Sequence, residues 1–228
     1  MTTPHPLDNP AFGALTGPQA AFALRHGNAL RFPPDVSPFG ALADETSEAD
    51  WADARRLTDV GQVLLLVRLR PDVVPDGWRV VGGRPGVQLV ASDVDAAPDQ
   101  EAVPLGPADV PEMLALTELT QPGPFEPRTV ELGGYLGLRR EGQLVAMAGE
   151  RLRPPGYAEI SAVCTHPDWR GHGFAARLTR AVAAGIAARG DTPFLHAAAD
   201  NVNAIRLYKT LGFAHRREVS FVALSPIV

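Results

Sequence analysis

The stretch HPDWRGHGFAARL, His166 to Leu178, decides how this chain is read. It sets Gly171 and Gly173 between an apolar run, YAEISAVCT from Tyr157, and a segment in which Phe174, Leu178, Val182 and Ile186 recur every fourth position. The first reads as a strand and the second as a helix over Gly173 to Arg189, closed by Gly190. A strand, a turn of small residues and a fresh helix N-terminus together make an anion site. Unpaired backbone N–H groups converge there, and the helix dipole favours negative charge. Glycines let a ligand approach the backbone closely. An isolated Gly-x-Gly can equally do no more than permit a turn, so the surrounding elements have to decide.

Around this turn the second half of the chain is regular. Pro107 opens a helix through Leu119 with Val110, Met113, Leu114 and Leu116 apolar. Two strands, Tyr135 to Arg140 and Gln143 to Arg151, meet at Glu141-Gly142, a two-residue hairpin connection. After the glycine turn and its helix come a strand from Pro193 to Ala199, the capping pair Asp200-Asn201, a helix from Val202 to Leu211 and a last strand, Phe213 to Leu224. Upstream, helices are expected at Pro18 to His26 and Ala49 to Leu57. Strands are expected at Leu30 to Phe32, Gln62 to Leu69, Trp78 to Val81 and Val87 to Ala91. The Pro-rich acidic stretch Ser92 to Asp109 suggests a boundary, giving an N-terminal α/β subdomain over 1–95 and a second unit over 96–228.

Two phosphate-binding patterns compete for the turn and fail on context. GHGFAA fits the dinucleotide pattern G-x-G-x-x-A with Asp200 as a ribose partner, but Thr165 to Arg170 separate strand from glycine. The residues after Asp200 are also too few for the remaining parallel strands. A nucleotide P-loop would need Gly-Lys-Ser or Gly-Lys-Thr after the turn. A third pattern fits. Arg170-Gly171-His172-Gly173-Phe174-Ala175 matches R/Q-x-x-G-x-G/A, and Asn201 to Phe213 reads N-x-x-A-x-x-L-Y-x-x-x-G-F. In this order and separation the two elements resemble the GNAT superfamily of acyl-coenzyme A-dependent N-acetyltransferases, over roughly Glu101 to Leu224.

The resemblance implies an α+β fold, a mixed and largely antiparallel sheet flanked by helices, and acetyl-coenzyme A as co-substrate. It implies that the amides of Gly171, His172, Gly173, Phe174, Ala175 and Ala176 bind the pyrophosphate. Val163, Cys164 and Thr165 would pair with the pantetheine arm in a slot between splayed strands, and Arg170 would meet a coenzyme phosphate. Tyr208 matches the acid that protonates the departing thiolate, its alternative being a packed aromatic. Asn201 either caps its helix or bonds the pantetheine. An ammonium acceptor must lose a proton before it attacks, and Glu159, on the central strand, is the candidate base. Its alternatives are a structural hydrogen bond at the strand's start and binding of the substrate amine. Cys164 reads as a small buried hydrophobe, His166 as a turn residue and His196 as a structural histidine.

Composition narrows the rest. The 228 residues are 45% apolar and 21% charged, ordinary for a globular protein, and the longest apolar run, Val63 to Val67, is strand-sized. A net charge of −5 argues against a broad nucleic-acid surface, and one cysteine rules out an internal disulfide or a Cys-based zinc cluster. No metal and no membrane contact are expected. The opening MTTPHPLDNP lacks a signal-peptide pattern, so a cytoplasmic protein is expected. Residues 1–95 read as a degenerate GNAT-like half, a lid over the acceptor, or a surface that pairs two copies into a homodimer. The expected reaction is acetyl transfer to a primary amine, on a small molecule or a peptide, in a ternary complex. The alternative is a non-catalytic acyl-coenzyme A sensor or scaffold of the same fold.

Overall fold

The computed structural model describes residues 5–69 and 74–227. Its strands are β1 (Leu24–His26), β2 (Ala29–Arg31), β3 (Gly40–Ala41), β4 (Leu64–Arg68), β5 (Trp78–Ala91), β6 (Val103–Leu105), β7 (Tyr135–Arg140), β8 (Gln143–Glu150), β9 (Tyr157–Thr165), β10 (Thr192–Ala198) and β11 (Phe213–Pro226). The helices are α1 (Pro10–Thr16), α2 (Glu48–Leu57), α3 (Val110–Thr120), α4 (Phe174–Ala188) and α5 (Val202–Thr210). Strands β1, β2 and β3 form a small sheet, and the other eight form one large sheet in the order β4-β11-β5-β10-β9-β8-β7-β6. Every neighbouring pair in the large sheet is antiparallel except β9 and β10, which run parallel. This is the mixed, largely antiparallel α+β architecture expected from the sequence.

The two faces of the large sheet are covered by different elements. On one face α4 buries Phe174, Leu178, Val182 and Ile186 against Ala146, Ala148, Ile160, Leu195 and Leu89. The spacing of four brings these side chains onto one stripe of the helix. On the other face Met113 and Leu116 of α3 pack on Met147, and Leu7, Phe32 and Phe39 of the N-terminal segment pack on Phe194 and Val219. Alternation along each strand explains the division: Ala146 and Ala148 point one way, Met147 the other. The Glu141-Gly142 hairpin has φ of 52° and 84° at its two residues, the positive-φ pair that a tight antiparallel connection needs.

The N-terminal segment departs from expectation. Residues 1–95 do not form a separate unit or a second copy of the fold, because β4 and β5 enter the large sheet and β5 lies between β10 and β11. The strands expected at Trp78 to Val81 and Val87 to Ala91 are one strand, paired with β11 from end to end. The glycines between them do not break it: a bulge and Gly83, at φ 153°, absorb the irregularity. The helix expected at Pro18 to His26 is a single 3-10 turn, Ala20–Phe22, followed by β1. Gly27, at φ 51°, turns the chain so that His26 pairs with Ala29. Helix α1, capped by Asn9 and opened by Pro10, was not expected. Buried Gln19 ties this segment to the rest of the chain: its amide donates to the carbonyls of Leu132 (3.3 Å) and Arg151 (2.7 Å) and accepts from the Arg153 N–H (3.0 Å). Among the described residues no helix is long and apolar enough to cross a membrane.

Candidate active site

The glycine turn is open. Gly171 and Gly173 sit at φ 83° and 74°, and no heavy atom lies within 4 Å of where a Cβ would stand at either. Glycine is required there by conformation, not by crowding. Gly173 caps α4, and Arg177 donates the first bond back into the helix, to the Gly173 carbonyl at 3.1 Å. The N–H groups of Phe174, Ala175 and Ala176 are therefore the first-turn donors that the helix leaves unpaired.

These donors face a cavity of about 870 Å³ that passes through the sheet where β9 and β10 diverge. The two strands pair only from Thr192 with Tyr157 to Leu195 with Ile160. Beyond Ile160, β9 keeps its β8 partner but offers its other edge to the cavity. A bulge accentuates the opening: Ala162 and Val163 of β9 stand opposite Ala148 alone, and Ala162 takes a left-handed φ of 52°. Thr165 Oγ1 is buried at this edge without a hydrogen-bond partner.

The structure brings the expected coenzyme residues together with one exception. Val163, Cys164, Thr165, Arg170, Gly171, Gly173, Phe174, Ala175, Ala176 and Asn201 all line the cavity. His172 does not. Its ring turns back so that Nδ1 lies 3.1 Å from the carbonyls of Trp169 and Arg170. Asn201 caps α5, accepting from the Ala204 N–H at 3.1 Å, while also lining the cavity. His166 accepts from the Asp168 N–H at 3.2 Å and so serves the turn. Burial pushes the Cys164 thiol up to about 11, which keeps it protonated. Tyr208 reaches the cavity from α5 with its ring edge-on to Phe213. Burial pushes its phenol up to about 12, so it holds its proton at neutral pH.

Glu159 is not placed to act as the base. Its side chain is 0% exposed and bound through both oxygens to Arg151, Nε to Oε2 at 2.9 Å and Nη2 to Oε1 at 2.6 Å. His196 Nδ1 adds a third contact, to Oε1 at 2.7 Å. Burial alone would push the carboxyl up, but Arg151 and His196 outweigh it and hold it down at about 2. A carboxylate so stabilised is a poor proton acceptor, and it does not line the cavity. Glu159 is thus the anchor of a buried polar chain.

That chain fixes a tautomer. Arg216 can only donate, so Gln88 turns Oε1 toward it (2.8 Å) and Nε2 toward His196 Nε2 (3.0 Å). His196 Nε2 is then the acceptor, and Nδ1 carries the proton to Glu159. Arg216 continues the chain to Asp8 at 2.6 Å. The edges of Phe194 and Phe221 close around the imidazole, whose side chain is 1% exposed. Sequence reasoning passed over Arg151, Gln88 and Arg216. Each belongs to no motif, and only strand pairing brings them together. Phe39 and Leu65, also on the cavity wall, come from the N-terminal segment, with the Phe39 ring 4.6 Å from the Arg151 guanidinium.

With this geometry established, comparison with known proteins is informative. The FR47-like protein family matches residues 135–222, which span β7 through most of β11. Among curated proteins none matches the sequence. A solved structure from Novosphingobium aromaticivorans DSM 12444, assigned to the GNAT family of acetyltransferases, is 42% identical over 99% of this chain and 100% of its own, with a TM-score of 0.92. A GCN5-related N-acetyltransferase from Kribbella flavida shares the fold at 18% identity, covering 95% of this chain and 94% of its own, with a TM-score of 0.62. A GNAT-family acetyltransferase from Colwellia psychrerythraea does so at 13% identity, over 98% of each, with a TM-score of 0.52. The full-length identity to the first of these, together with the open glycine turn at the mouth of the divided sheet, shows that the chain belongs to the GNAT family of acetyltransferases.

Proposed function

We propose that the protein moves an acetyl group from acetyl-coenzyme A to a primary amine by direct attack within a ternary complex. The observation that carries this is the convergence of three features on one cavity: unpaired amides at Phe174 to Ala176, the free edge of β9, and the Tyr208 phenol. Acetyl-coenzyme A supplies the acyl group in activated form, as a thioester. The residues present fit such a ligand. The turn offers main-chain donors and helix-dipole charge to a diphosphate, and Arg170 adds a cation beside it. The edge of β9 from Ser161 to Thr165 offers main-chain partners to an amide-bearing arm, and the buried Thr165 hydroxyl has none of its own.

Tyr208 acts as the acid. A neutral phenol in a half-dry wall can give its proton to a departing thiolate without ever having carried charge at neutral pH. Glu159 acts at one remove: it holds the Arg151 side chain against the cavity and fixes His196 in one tautomer. Cys164 takes no part as a nucleophile, since its thiol stays protonated and direct transfer forms no acyl-enzyme.

The test is binding followed by turnover. Acetyl-coenzyme A at about a hundredfold its dissociation constant should stabilise the fold by about 2.7 kcal/mol. An amine panel should then release free thiol in step with acetylated amine. Coenzyme that neither raises the melting temperature nor is consumed would overturn the proposal.

A further inference from the structure

The cavity is lined from both faces of the large sheet, and the wall away from α4 carries a cation that the chemistry above does not use. Alternation along β5 puts Arg84 on the same face as Gln88, which reaches His196 and the Leu7 carbonyl. This is the face of Phe39 and Arg151. Arg84 stands opposite Phe221 in the β5–β11 ladder, and the Phe221 ring lies over Gly86, where a Cβ would come within 2.4 Å of it. Arg84 and Phe221 both line the cavity.

The charge inventory of that wall is one-sided. Among the described residues, the cavity is lined by Arg84, Arg151 and Arg170 and by no Asp or Glu. Arg170 belongs to the glycine turn. Arg151 is paired with Glu159, and His196 Nδ1 lies 2.7 Å from the same carboxylate. Arg84 has neither a hydrogen bond nor an ion pair among the described residues. The remaining surfaces beside it, Phe39, Leu65 and Phe221, are apolar. A polyamine or other multiply cationic acceptor would meet like charge here and no carboxylate to receive its ammonium.

We infer that the acceptor is an amine that also bears a carboxylate and an apolar side group, the α-amino-acid class, and that Arg84 is the residue that selects the carboxylate. The inference rests on the acetyl transfer proposed above. Arginine presents paired donors that match a carboxylate in both geometry and charge. In the transfer, the amine nitrogen bonds to the acyl carbon as the carbon–sulfur bond breaks. The electron pair leaves on sulfur and takes the Tyr208 proton, and the amine releases one proton to water, from which the Tyr208 phenolate is reprotonated.

The experiment compares initial rates of thiol release at saturating acetyl-coenzyme A for phenylalanine and leucine, phenylalaninamide and leucinamide, phenethylamine and spermidine. The acids are expected to exceed their amides at least about tenfold in kcat/KM. Arg84→Met is expected to shrink that acid-to-amide ratio by about tenfold to a hundredfold, mainly through KM, the range of a hydrogen bond to a charged group. Arg84→Lys, which keeps the charge, should retain part of the ratio. Amides or spermidine favoured over the acids, acids refused altogether, or a ratio unmoved in Arg84→Met would each overturn the inference. A thermal shift with acetyl-coenzyme A on the same samples separates the two failures. A shift leaves the acetyl-transfer proposal standing, whereas no shift and no turnover of any amine would sink both.

Discussion

Replacing Glu159 by Gln distinguishes an anchor from a base. In the folded chain the carboxyl is held at about 2 against an ordinary value of 4.5. The gap corresponds to about 3 kcal/mol of stability. Because the folded value is depressed, that stability is fully present above pH 4.5 and disappears as the pH falls toward 2. Glu159→Gln removes the charge but leaves the Arg151 guanidinium buried, and Arg151→Met leaves the carboxylate buried. Loss of one partner of a buried pair costs about 3–5 kcal/mol. In a chain of this length the melting temperature should fall by roughly 6–20 °C in either variant. Changing both, to Glu159→Leu with Arg151→Met, should recover much of the loss, since neither charge is then stranded. Urea unfolding of the four proteins at pH 7 and pH 4 measures these differences, and the wild-type advantage over Glu159→Gln should shrink at the lower pH. The kinetic counterpart is the pH dependence of kcat/KM, which should keep its acidic limb in Glu159→Gln. A Glu159→Gln protein of full stability that had lost both turnover and that limb would refute the reasoning and return Glu159 to the role of base.

Three further outcomes follow from the same geometry. Tyr208→Phe should lower kcat at least about tenfold, within the span of general-acid effects, with the coenzyme-induced thermal shift unchanged; equal turnover would remove Tyr208 from the chemistry. Gly173→Val should cost about 1–3 kcal/mol in backbone strain at φ 74° and weaken coenzyme binding at least about tenfold by titration calorimetry, while circular dichroism stays native. Gly212→Ala should be worse for stability than Gly173→Val, although it lies farther from the ligand. Its φ is 94°, and its Cβ would meet the Asp93 carbonyl oxygen at 2.0 Å, so chemical denaturation should show the larger loss.

What could be read in the sequence was local or carried by a motif. The strand, turn and helix around Gly171 were legible because period two gives way to period four across two glycines. Tyr208 and Asn201 were legible because Asn201 to Phe213 reads N-x-x-A-x-x-L-Y-x-x-x-G-F, the element that carries the resemblance to the GNAT superfamily. The polar chain from Arg151 to Asp8 was not. Its members lie on the connection after β8, on β9, β10, β5 and β11, and in the N-terminal turn, and no spacing along the chain reports contacts made across strands. Glu159 was correctly placed on the central strand, but its partner Arg151 lies on the preceding connection, and only the β8–β9 pairing makes the two converge. The N-terminal segment misled for a related reason. Gly82, Gly83 and Gly86 read as interruptions when β5 is taken alone, whereas the long partner β11 carries the strand through them.

The insertion of β5 between β10 and β11 also orders events during synthesis. Trp78 must wait for Pro226 before the two can pair, and the neighbouring places in the sheet are filled by residues made long after β5. A ribosome-bound chain that stops after α4 holds β5 without either lateral neighbour, exposing main-chain donors and acceptors on both edges. Such a chain is expected to fold slowly and only once β10 and β11 have emerged. A truncation that begins at residue 96 would leave β10 and β11 with a vacancy between them, so the segment that carries the glycine turn is not a portable unit in this protein.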